Sequence, residues 1–179
     1  MGRVRWPVLG LRGIPPFVAS IGPDVVRRLV IVASAYRLGT RGKELQADMT
    51  RLIRAGEPRQ AWAQSMTAML PSQLRGLMRP LSRLVVGSAV PDNPTDLLIT
   101  LEAVDAFDVA ADLPQVTAPT LVIGGAKDAF YSRELFEGTA AASRTGGRTF
   151  FQNWGHTRTV GSSATTHLTL GFMLAGIST

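Results

Sequence analysis

"PTLVIGGAKDAFY", residues 119–131, is the stretch on which the fold turns. Leu121, Val122 and Ile123 form an apolar, largely β-branched run too short for an independent helix, which predicts a strand covered on both faces. Gly124 and Gly125 close the run, and a lone carboxylate, Asp128, follows them. In an open α/β sheet, ligands bind in the crevice at the carboxyl ends of the strands, so Asp128 is placed at that rim. An acid there can orient a histidine. It can equally tighten a turn or cap the helix that begins near Ser132.

A second residue separates these roles. In "TFFQNWGHTRT", residues 149–159, a further short strand is expected over 149–152, and His156 follows in a glycine-containing loop. The chain has only two histidines, and His167 falls inside the final helical pattern, where it is read as structural. A strand-end Asp followed by a His after the next strand is the chain order of the acid and base in a Ser-His-Asp triad on an α/β sheet.

Three segments, "DVVRRLVIVASAYRLG", "FDVAADLPQVTAPTLVIGGAKDAFY" and "NWGHTRTVGSSATTHLTLGFMLAGI", together resemble the carboxyl-terminal part of an α/β-hydrolase with a helical lid. The resemblance runs over residues 23–177. It implies an α/β fold with a partial parallel sheet and an inserted helical lid, and hydrolysis of an ester, lactone, thioester, amide or similar bond. In that reading Asp128 is the acid, His156 is the base and no cofactor is used. Asp105 and Asp108 are rival acids, ranked below Asp128 because only Asp128 follows a glycine pair and precedes a helix.

The nucleophile departs from the family pattern. The family places G-x-S-x-G on a strand-to-helix turn that exposes the serine oxygen and aims the next backbone N–H into an oxyanion hole. No G-x-S-x-G occurs in this sequence. Counting about five helical turns upstream of Arg27 puts the expected position near Leu9 and Gly10, where no Ser, Asp or Cys stands. Ser20 lies too close to Val25 to leave room for the intervening helix.

Residues 1–22 contain Pro7, Pro15, Pro16 and several glycines, which break any helical run, and they are expected to be irregular. Arg12 and the prolines also interrupt the apolar core of a secretory signal. The hydrolase-like domain is assigned to residues 23–179, with the lid inserted at about 41–105. A complete lidded hydrolase is usually longer than 179 residues. "RLVIVAS" is therefore expected to have lost a neighbouring strand and to offer an open edge for self-association.

Composition narrows the chemistry. Zero cysteines exclude a disulfide framework and thiolate chemistry and suit a cytoplasmic setting. Two histidines without ligand spacing argue against a metal site, and no apolar run is long enough to span a membrane. The net charge of +6 is concentrated in residues 1–90, with fourteen basic against four acidic side chains. These arginines are scattered over several expected helices without aromatic interleaving, so they read as solvated helix faces rather than a nucleic-acid surface.

The region after "RLVIVAS" is helical. "GKELQADMTRLIRAG" sets Leu45, Met49, Leu52 and Ile53 on one stripe, with Gly56 as a stop. "EPRQAWAQSMTAMLP" opens on Pro58 and aligns Trp62, Met66, Met69 and Leu70. A weaker helix is expected over 72–87, and another at "NPTDLLITLEAV" with Asn93 as cap and Pro94 in the first turn. Lidded hydrolases insert their cap at this position. Trp62, Met66 and Met69 are candidates for lining an apolar pocket for a small hydrophobic or acyl substrate, although such stripes also serve helix packing. In the closing helix, Leu168, Phe172 and Ala175 are expected to face inward.

Overall fold

A computed structural model describes residues 6–10, 26–70, 74, 76, 94–143 and 146–175. Four parallel strands form one sheet in the order β1 (Trp6–Gly10), β2 (Val26–Val32), β3 (Thr120–Gly125) and β4 (Gly146–Phe151). Between β2 and β3 lie α1 (Thr40–Arg54), α2 (Pro58–Met69), α3 (Thr95–Asp105) and a 3-10 turn (Leu113–Gln115). Helix α4 (Arg133–Ala142) links β3 to β4, and α5 (His156–Gly161) and α6 (Ser163–Leu174) follow β4.

The three apolar runs expected as strands are neighbours in parallel register, with Val30 opposite Leu121 and Ile123 opposite Thr149. Residues 6–10 correct the expectation of an irregular start. They pair with β2, with Val8 opposite Leu29 and Gly10 opposite Ile31. Proline rules out a helix there but not an outer strand. The pairing shifts register between Trp6 and Val8, on either side of Pro7, where a missing N–H is tolerated. Consequently β2 has no open edge: the outer strands of the described sheet are β1 and β4.

Alternation along β2 and β3 gives the sheet two apolar faces. Leu29, Ile31 and Val122 pack with Phe136 and Ala140 of α4, while Val30, Val32, Leu121 and Ile123 meet Phe172 and Met173 of α6. Gly124 permits the first layer, since a Cβ there would stand 2.6 Å from the Phe136 ring. Ser132 caps α4 as expected, its hydroxyl accepting from Leu135 N–H. Of the residues of the closing helix expected inward, only Phe172 is so placed. Thr165, Phe172 and Met173 turn inward, whereas Leu168 and Ala175 are exposed. A helix apolar on nearly every side leaves periodicity without a direction.

The helical insertion carries a core of its own, built by Met49, Leu52 and Ile53 of α1, Ala61 of α2 and Leu101 of α3. Gln46 ties α1 to α3 through the Leu101 carbonyl. Helix α3 starts at Thr95 with Pro94 as its N-cap, one position from the expectation. Asn93 and most of the helix expected over 72–87 lie outside the described residues.

Candidate active site

Parallel strands bring their carboxyl ends to one edge of the sheet, and the site grows from the end of β3. The chain turns tightly there, Asp128 N–H donating to the Gly125 carbonyl at 3.1 Å. The loop after β4 is tied alongside it. Ala126 N–H donates to Phe151 O at 3.0 Å and Lys127 N–H to Trp154 O at 2.9 Å. Close approach requires Gly125: a Cβ would meet the Trp154 carbonyl and lie 2.7 Å from Thr159 Oγ1. Gly155 then serves as the N-cap of α5, and His156 is its first residue.

These loops put Asp128 Oδ2 2.9 Å from His156 Nδ1. The other carboxylate oxygen accepts from Phe130 N–H at 2.8 Å and Tyr131 N–H at 3.2 Å. The Asp128 side chain is completely buried, while that of His156 keeps 21% of its surface. Three donors converge on one buried acid, an arrangement suited to the ionised carboxylate, which can only accept. Against that carboxylate Nδ1 is the donor, which in the neutral imidazole leaves the lone pair on Nε2. Phe130 lies in an edge contact with the ring at a centroid distance of 5.0 Å, and Tyr131 stacks at 6.4 Å.

The other residues singled out in the sequence lie elsewhere. Asp108 pairs with Arg37 at 3.5 Å and holds Ala110 N–H at 2.9 Å, and Asp105 ends α3 with an exposed side chain. His167 is exposed on α6. Trp62, Met66 and Met69 are half-buried on α2, whose fully buried positions are Ala61, Ala63, Ser65 and Ala68. No described hydrogen bond or aromatic contact joins that stripe to His156. Among the described residues no group of three or more acidic or His side chains could hold a metal ion. Phe130 and Tyr131 went unnoticed in the sequence. The available signal was their spacing, two and three residues after the acid, within reach of its second oxygen.

Solved structures carry the same arrangement of elements. MGS-M2, an alpha/beta hydrolase enzyme from a Medee basin deep-sea metagenome library, superposes with a TM-score of 0.83 at 19% identity, over 99% of this chain and 68% of its own. The chain has the α/β-hydrolase fold. The enol-lactonase from Burkholderia xenovorans LB400 shares that fold with a TM-score of 0.75 at 19% identity, covering 96% of this chain and 66% of the lactonase. A hydrolase from Pseudomonas aeruginosa PA01 gives 0.77 at 22% identity, covering 97% of this chain and 66% of its own. The α/β-hydrolase fold seen here thus spans about two thirds of the length of these neighbours. No family model and no curated protein matches the sequence. Among the described residues no helix is long and apolar enough to cross a membrane.

Proposed function

We propose that this chain supplies the acid and base of a hydrolase acting on an ester, lactone or related acyl bond, with Asp128 and His156 in those roles and a nucleophile from outside any G-x-S-x-G motif of its own. The observation that carries this reading is the 2.9 Å contact between a buried Asp128 oxygen and His156 Nδ1 at the carboxyl edge of the sheet. With Nδ1–H given to Asp128, Nε2 can take the proton of an attacking hydroxyl and return it to the leaving group. The carboxylate steadies the imidazolium formed between those steps. The acyl-bond class is in keeping with the hydrolase and enol-lactonase neighbours. Helices α1 to α3 form the lid in this reading, and the half-buried Trp62, Met66 and Met69 offer apolar surface to a small acyl group. No cofactor is needed for this chemistry, and the cytoplasm is a compatible setting for a cysteine-free chain.

A second reading, an inactive scaffold that keeps the fold for binding, is favoured by one feature. Leu9 and Gly10 close β1 at the same sheet edge as Gly125, where the nucleophile turn is expected, yet neither they nor Leu11, Arg12 and Gly13 carry a nucleophilic side chain. Turnover of a p-nitrophenyl ester by the purified chain tests both readings against His156→Ala and Ser20→Ala. The expected outcome is no His156-dependent turnover by the chain alone. A large loss in both variants would establish Ser20 as the nucleophile and overturn the inactive-scaffold reading.

A further inference from the structure

One of the two residues that touch both His156 and the Asp128 carboxylate is also the seat of the helical insertion. Phe130 presents its ring to His156 at 5.0 Å and its N–H to Asp128 Oδ1 at 2.8 Å. Its carbonyl faces the other way and accepts from Gly39 N–H, the N-cap of α1, at 3.1 Å. One turn into α1, Gly42 is buried against the same peptide. A Cβ at Gly42 would stand 2.6 Å from Phe130 O and 3.1 Å from Phe130 Cα, and one at Gly39 would stand 3.0 Å from Phe130 O. Gly42 is not required by its place in the helix, where glycine weakens the element relative to alanine, whereas Gly39 stands at the N-cap, where glycine is accepted. Close approach to Phe130 is the contact that excludes a side chain.

We propose that Gly42, supported by Gly39, is a positioning residue for the Asp128–His156 pair: it lets α1 seat on the Phe130 backbone, and that seat sets where the acid's turn and the imidazole sit. The path is continuous, from α1 to the Phe130 peptide, to Asp128 Oδ1, and through Oδ2 to Nδ1. Phe130 adds a second route through its ring. An added methyl at Gly42 meets main-chain atoms, which cannot swing aside as a side-chain end can, so either α1 lifts or the turn moves. The catalytic meaning of this contact rests on the acid–base reading above; the contact itself does not.

Labelling the histidines of the full chain with 15N provides the test, because only His156 and His167 report and His167 is exposed on α6. His167→Gln assigns the two signals. The expected result is that Gly42→Ala shifts the His156 ring resonances and weakens the Nδ1–H signal, while His167 stays in place. Gly171→Ala, whose added methyl meets nothing within 4 Å, serves as the control and is expected to match the parent. Gly39→Ala asks only a few tenths of an ångström of Phe130 and stands in if Gly42→Ala does not fold. A folded variant, judged by its thermal transition, with parent-like His156 signals would overturn the proposal. Failure of the acid–base reading would show in turnover and leave these spectra unchanged, so the two failures are distinguishable.

Discussion

At the scale of single residues, a fully satisfied buried acid contrasts with a buried hydroxyl that has no partner among the described residues. Asp128 places both oxygens against donors, which keeps a completely buried charge tolerable. Ser34, just after β2, is buried with no partner for its Oγ among the described residues. It follows Ala33, which adopts a φ of 47°, a left-handed conformation that costs a non-glycine residue about 1 kcal/mol. Desolvating a hydroxyl without a hydrogen bond costs roughly 1–3 kcal/mol, so Ser34→Ala is expected to raise stability by about 1 kcal/mol. A higher urea midpoint with an unchanged slope would record that gain. A lower midpoint would show that the hydroxyl has a partner worth keeping. The Asp128–His156 contact was legible in the sequence because a strand-end Asp precedes a His that follows the next strand. Phe130 was not, since its role depends on three directions of contact, and sequence spacing describes only one.

At the scale of elements, strands β2, β3 and β4 were legible as short runs bounded by glycine or polar residues, and the Ser132 cap followed from its place before α4. Its hydroxyl and the backbone N–H of Glu134 both bear on the first turn. The backbone hydrogen bond, followed by that to Ser132, holds the exposed Glu134 carboxyl below its ordinary range. A depressed carboxyl contributes stability above the unfolded pKa and loses it as pH falls through the folded value, so this part of the cap belongs to neutral rather than acidic solution. Ser132→Ala is expected to cost about 1 kcal/mol, read from the denaturation midpoint near neutral pH. An unchanged midpoint would mean that solvent replaces the cap. Strand β1 is not legible in the sequence because Pro7 signals against a helix yet is tolerated in an outer strand. In helix α6 the inward place of Phe172 was legible but that of its neighbours was not, because Leu168, Leu170 and Leu174 supply apolar groups on sides that the sheet does not cover.

At the scale of the whole molecule, parallel pairing decides what the chain can do. It gathers the ends of β1, β2 and β3 on one edge, so that Asp128 and the expected nucleophile position share a rim although more than a hundred residues separate them in sequence. The helical insertion packs on its own core yet starts on the Phe130 peptide, which places a second layer of structure directly on the acid's turn. The Asp128–His156 pair is assembled while Leu9 and Gly10, at the end of β1, carry no nucleophilic side chain. Mixing the chain with a separately expressed amino-terminal hydrolase half that carries G-x-S-x-G, and following p-nitrophenyl ester turnover, tests the acid–base role most directly. The expected result is turnover on mixing that disappears with a Ser-free half and falls by several powers of ten when this chain carries His156→Ala. Turnover that never appears on mixing, or that His156→Ala leaves unchanged, would contradict it.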